Sequence, residues 1–379
     1  MIFDYETLKL IWWAFVGVLL IGFALTDGFD MGVGTLLPFL GKNDEERRVI
    51  INSIGPTWEG NQTWFITAGG ATFAAWPLVY ASAFSGFYVA LMLVLFALFL
   101  RPTGFDYRSK VADPRWRKAW DWGLFVGGAV PALVFGVAFG NLLQGVPFHF
   151  DDTMRVFYTG SFFQLLNPFA LLVGVVSLAM LVLHGATYLQ MRTEGIIQHR
   201  AARAAVVAGL VLIVAFALAG WWIAHGIDGY RVTSIDPGAP SNPLAKGVET
   251  ATGAWLDNYG RHGWMKIAPV LGFAGAAAAI GLSFLRHTRT AFLASSAAVT
   301  GVILTAGLSM FPFIMPSSSD PKSSLTAWDA VSSHRTLQIM FWLTLIFLPI
   351  IVAYTTWVYR VLRGKVTVEG IRETTHTSY

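Results

Sequence analysis

The chain has 379 residues, 55% of them hydrophobic and only 13% charged, with a mean hydropathy of +0.57. Soluble domains carry about 25% charged residues, so this composition excludes an ordinary soluble domain and points to an integral membrane protein. The excess of 26 basic over 22 acidic residues is too small to indicate nucleic-acid binding, and the lack of cysteine excludes disulfides, iron–sulfur clusters and thiolate metal sites.

A membrane-crossing helix needs about 20 mostly apolar residues. Nine stretches qualify: residues 10–36, 57–77, 79–100, 121–143, 163–188, 203–226, 264–285, 290–312 and 336–361. The start, MIFDYETLKL, has two acids before its first lysine, unlike the basic start of a cleaved signal, so the first stretch is read as a retained span. That span ends in TDGFDMGVG, residues 26–34, which carries Asp27 and Asp30 on one helix face. Gly28 and Gly32 beside them form a small-xxx-small step suited to close helix packing.

The second span opens PTWEGNQTW, with Trp58 and Glu59, and is separated from the third by a short turn at Trp76-Pro77. The third ends in RPTGFDYR, which leaves Asp106 at its mouth. Asn167-Pro168 is expected to kink the fifth span or start it late. The Gly-, Pro- and Asn-rich loop 227–263 reads as the only sizeable extramembrane segment. The whole of 1–379 reads as a single membrane domain, with pseudo-symmetric halves about 1–195 and 196–379.

Lysine and arginine orient the stack. Segments following odd-numbered spans hold 18 of the 26, and the N-terminus with the segments following even-numbered spans holds eight. The positive-inside rule then puts the N-terminus outside and the C-terminus in the cytoplasm. Tryptophans near span ends, such as Trp12, Trp13, Trp221 and Trp222, fit an aromatic belt. In this frame Asp27, Asp30, Glu59 and Asp106 all fall in the cytoplasmic half.

An intramembrane carboxylate costs about 2.5–3.5 kcal/mol or more unless paired, protonated or hydrated. Several together favour a water-lined, proton-accessible path. The plainer alternative is that they cap broken helices or pair with Arg47, Arg48 or Arg101. None of the eight histidines falls mid-span by these boundaries, so no haem-ligand pair on facing spans is expected. No nucleotide-binding loop or zinc-protease motif is present.

The strings TDGFDMGVG, NSIGPTWEGNQTW, AAWPLVYASAFSGFYVALMLVL, LRPTGFDYRSK, GVAFGNLLQGVPF, FFQLLNPFALLVGVVS, HGATYLQMRTEG, FPFIMPSSSDPKSSLTAWDA and the ending THTSY resemble subunit II of cytochrome bd ubiquinol oxidase, from the first span to the last residues. The resemblance implies an all-α integral membrane fold of nine transmembrane helices, arranged as two four-helix bundles plus one peripheral helix, in a bacterial inner membrane. It implies a complex that oxidises quinol and reduces dioxygen to water, separating charge without pumping. Two haem b and one haem d would reside in the partner, subunit I. This chain would bind no haem or metal of its own and contain no catalytic residue.

The acids would then conduct protons from the cytoplasm. The family motif usually reads W-D-G-N where this chain has Trp58-Glu59-Gly60-Asn61, so Glu59 is the matching carboxylate, one methylene longer. Asp106 matches a carboxylate at the cytoplasmic entrance, and Asp27 and Asp30 match the first-span pair. Trp58 marks where some members hold ubiquinone, a groove that lipid can also fill. Small accessory subunits are compatible with the resemblance. Two rival readings stay open: a proton-coupled transporter, and a purely structural scaffold with idle acids.

Overall fold

The computed structural model describes residues 3–373; the THTSY ending, with His376, lies outside the described residues. Helix α1 (Tyr5–Leu40) starts at Asp4, whose side chain accepts from the Thr7 amide at 2.7 Å. A short α2 (Asp44–Ile54) follows, capped by Asn43 and carrying Asp44, Glu45 and Glu46 in its first turn, where negative charge suits the helix dipole. Then come α3 (Trp58–Ala75), α4 (Pro77–Gly86), α5 (Tyr88–Tyr107), α6 (Pro114–Gln144), α7 (Pro168–Arg192) and α8 (Gly195–Gly226). The later helices are α9 (Asp257–Arg261), α10 (Ile267–Phe284), α11 (Thr288–Met310), α12 (His334–Val361) and α13 (Val368–Glu373).

Eight helices among the described residues are long and apolar enough to cross a membrane. Nine spans were expected, and α3 is the one outside the set. Its 18 residues reach roughly 27 Å at 1.5 Å per residue, but Glu59, Asn61, Gln62 and three threonines lower its hydropathy. The expected third span, 79–100, needs correction. Pro77 opens a separate ten-residue helix, α4, and the crossing helix α5 runs from Tyr88 to Tyr107. Arg101 therefore lies inside a helix rather than in the loop after it. The fifth span starts late, as Asn167-Pro168 suggested: Asn167 caps α7 by accepting from the Ala170 amide, and Pro168 takes the first position.

Helix α1 packs against α3, α6, α7 and α11; α6 also packs on α5 and α7; and α8, α10 and α11 gather round α7. Helix α12 touches the rest mainly through α1. The α1–α7 crossing is set by glycine. A Cβ on Gly32 would overlap the Leu181 carbonyl oxygen, and one on Gly185 would sit 2.6 Å from the Gly32 carbonyl carbon.

At the end where α1 begins, three connections build a layer: hairpin β1 (Phe148–Phe150) with β2 (Val156–Tyr158), hairpin β3 (Asp228–Ser234) with β4 (Gly247–Thr252), and β5 (Phe313–Met315) with β6 (Leu325–Thr326). The loop after α8 is thus not the only sizeable extramembrane segment; 145–167 and 311–333 match it in role. Lys9 ties the second of these connections to the third. Its buried ammonium donates to the carbonyls of Pro237 (2.7 Å), Ala239 (2.9 Å) and Trp328 (2.7 Å). A buried pair, Lys246 to Asp329 at 2.8 Å, closes the same layer.

Candidate functional site

The apolar run of α1 carries its two acids where α3, α5, α6 and α7 converge, so both are fully enclosed: Asp27 is 0% and Asp30 2% exposed. Asp27 is held bidentately by Arg101 of α5, with nitrogen–oxygen distances of 2.9 and 2.5 Å. The fork geometry of guanidinium matches a carboxylate, which makes this a strong fixed pair. Asp30 is treated differently. Asn61 Nδ2 of α3 donates to its Oδ2 at 2.8 Å, while its Oδ1 has no hydrogen-bond partner among the described residues. Asp30 and Arg101 both line a cavity of about 10 Å³, enclosed by Val33, Leu37, Ile54 and Phe105. That is about the room one water needs.

Of the residues singled out in the sequence, Asp27 and Asp30 are brought together, and Glu59 and Asp106 are not brought into that cluster. Glu59 and Asp106 are both exposed, on the first turn of α3 and the last turn of α5. Their preceding neighbours pack: Trp58 stacks on Phe105, ring centroids 5.0 Å apart. Trp58 is itself 8% exposed, with the Arg101 guanidinium 5.4 Å from its ring. The start of α3 and the end of α5 thus flank one seam. Asp27 pairs with Arg101, one of the three arginines the sequence offered as partners.

Three participants were not singled out by the sequence. Asn61 lies in the quoted WEGN string but has no charge to draw attention. Tyr359 of α12 donates to Asn61 Oδ1 at 2.6 Å, joining a remote helix to Asp30 through one amide. Asp121, at the start of the expected fourth span, is 1% exposed and accepts from Arg108 Nε at 2.6 Å and Arg47 Nη1 at 2.7 Å. Asp121 belongs to a lattice at the α2 end. Asp44 bridges Arg108 and Arg117, Glu46 takes Arg200 at 2.6 Å, and Glu45 takes Arg372. The hydrogen bond from Arg372 holds the Glu45 carboxyl below its ordinary range.

His184, expected at a span end, instead lies within α7 and is fully buried. Its Nδ1 meets Ser295 Oγ at 2.8 Å and its Nε2 meets the Leu25 carbonyl at 3.1 Å. A carbonyl can only accept, so Nε2 carries the proton and Nδ1 takes the serine's. No cluster of three metal-ligating side chains occurs among the described residues.

Residues 8–362 match the family model for cytochrome bd terminal oxidase subunit II. The chain is 57% identical to cytochrome bd-I ubiquinol oxidase subunit 2 of Escherichia coli K12 over 377 residues, 99% of this chain and all of that one. It is 55% identical to a probable cytochrome oxidase subunit 2 of Haemophilus influenzae over 99% of this chain and all of that one. It is 32% identical to cytochrome bd ubiquinol oxidase subunit 2 of Bacillus subtilis over 94% and 96% of the two chains. Its fold is similar to a chain in the structure of bd oxidase from Geobacillus thermodenitrificans, with TM-score 0.68, 14% identity and coverage of 94% and 98%.

Proposed function

This chain belongs to the cytochrome bd terminal oxidase subunit II family, and we propose that it is the haem-free half of its complex, carrying protons from the cytoplasm toward the partner's oxygen-reducing haems. It is a subunit of cytochrome bd ubiquinol oxidase, a respiratory oxidoreductase, and a multi-pass protein of the bacterial inner membrane; subunit I is the implied partner. Quinol oxidation and dioxygen reduction would take place on that partner. In the arrangement we propose, α3 is the ninth span, α1, α3, α5 and α6 form one bundle, α7, α8, α10 and α11 a second, and α12 is peripheral. The arginine-rich α2 end faces the cytoplasm and the hairpin end the periplasm.

The observation that carries the reading is the unequal treatment of the acids. Asp27 is locked by Arg101 and serves as its counter-charge. Asp30 keeps an oxygen free against a water-sized cavity, which is what a proton-accepting group needs. Glu59 and Asp106 stand at the open seam at the same end. The exposed face of α3 carries Glu59, Gly60, Thr63, Thr67 and Gly70, small or polar residues that outnumber its two large apolar ones, Ile66 and Phe73, where lipid would favour large apolar groups throughout. Helix α12, by contrast, exposes Ile339, Leu343, Ile346, Phe347 and Ile350. Such small faces let another helix approach closely, so this is where subunit I would dock, and Glu59 would then sit at the subunit boundary. A quinone or lipid chain at Trp58 would meet only the small exposed fraction of its indole.

Haem, bound in the complex, supplies the redox chemistry. His184, the one fully buried histidine among the described residues, has both ring nitrogens engaged and so offers iron no free lone pair, which supports the haem-free reading. A dithionite-reduced minus oxidised spectrum tests this. The complex in mild detergent should show b- and d-type bands that disappear from this chain purified alone. Haem bands on the isolated chain would overturn the haem-free assignment. No haem in any intact preparation would favour a transporter.

A further inference from the structure

At the hairpin end, α7, α8, α10 and α11 do not close fully on one another. A crevice of about 540 Å³ opens between them, with Phe216, Ile223 and Phe273 on its walls. Its inner side is formed by Val173, Val176, Val302 and Ala306. The same four residues bound a second chamber, of about 150 Å³, that continues to Phe23, Phe65 and Phe135. Phe273 lies seven residues beyond Lys266, roughly 10 Å along the helix, so the crevice reaches well into the apolar depth of the bundle. The path is almost wholly apolar; water would find few partners there.

The rim is of opposite character. Lys266 lines the mouth, is exposed and has no carboxylate partner among the described residues. Asp257, an acid of the adjoining short helix, is taken by Arg231. Arg261 is exposed in the same segment, and Trp264 (60% exposed) and Ile267 (66%) stand beside Lys266 as membrane-interface side chains do.

We infer that this crevice is a phospholipid site: one acyl chain runs between α8, α10 and α11 toward the chamber behind Val302, and an anionic headgroup rests on Lys266. The charge at the mouth selects this occupant over a quinone, which offers no anion. The site is separate from the acid cluster, and α7 lies between them.

The test uses the whole purified complex in nanodiscs carrying phosphatidylglycerol or phosphatidylcholine with a photoactivatable acyl chain. Crosslinks from phosphatidylglycerol should concentrate on peptides of α8, α10 and α11 that line the crevice. Lys266→Glu should lower that yield at least fivefold for phosphatidylglycerol and little for phosphatidylcholine. Gly220→Phe should lower both, because Gly220 lines the crevice and open space lies beside its backbone. The haem spectrum should not change in either variant. Crosslinks spread evenly over α12 and other lipid-facing helices, yields indifferent to Lys266→Glu, or recovery of quinone alone from the crevice would overturn the assignment. If Gly220→Phe does not assemble, the wild-type crosslink map and Lys266→Glu decide the matter.

Discussion

Asp27 and Asp30 are three residues apart on one helix, yet they answer to different partners. Replacing Arg101 with methionine would leave Asp27 buried without its counter-charge, a change that costs about 3–5 kcal/mol in buried pairs. The complex should therefore lose thermal stability, and Asp27→Asn in the same chain should restore most of it. A thermal-shift series across the two single variants and the double variant reads this directly; additive losses would contradict the pairing. Tyr359→Phe should act more gently, because it removes one hydrogen bond to Asn61, worth about 1 kcal/mol. It should slow turnover at full haem content if Asn61 orients Asp30; turnover equal to wild type would leave Tyr359 a packing residue. The acids were legible in the sequence because charges stand out in an apolar run. Asn61 and Tyr359 were not, because a neutral amide and a tyrosine near a span end look like ordinary helix residues until the fold joins positions 61 and 359.

At the level of elements, the small residues next to the acids set helix distance. Gly32→Val would push α1 off α7, since even a Cβ there overlaps the Leu181 carbonyl. We expect little assembled complex on a native gel; a normal yield would contradict the crossing described. The outer layer gives a prediction with a pH sign. The hydrogen bond from Arg231 holds the Asp257 carboxyl below its ordinary 3.8, outweighing the cost of burial. A carboxyl lowered in the folded state stabilises it above the ordinary value and loses that contribution as pH falls through the ordinary value toward the lowered one. The pair is partly exposed, and solvent screening holds its worth to no more than about 1 kcal/mol. Asp257→Asn should therefore weaken amide-exchange protection of 228–252 at neutral pH, and the difference should shrink once pH drops below 3.8. A difference independent of pH would point to packing instead. Proline 77 shows why span edges were harder to read. Hydropathy runs unbroken through 77–100, but a proline followed by a ten-residue helix displaces the true crossing toward Arg101.

For the whole molecule, the apolar lengths and the basic bias were enough to anticipate a multi-span helical protein, and the motif strings to anticipate its family. The β-hairpin layer was hidden because its strands are two to seven residues long and the bonds that tie its loops together, such as Lys9 to the carbonyls of Pro237 and Trp328, join positions far apart in sequence. The acids divide by location into a buried pair on α1 and an exposed pair at the α3–α5 seam, which only the packing could reveal. The central claim is that the exposed pair passes protons inward. Asp106, at the end of a helix, can be bypassed by water, so Asp106→Asn should be the milder lesion; an equal or greater loss there would reverse the order. The most direct measurement is oxygen consumption by the assembled complex carrying Glu59→Gln, with haem content determined on the same sample. A severe fall at near-normal haem content is the predicted result, and unchanged turnover at full haem content would make this chain a scaffold whose acids are idle.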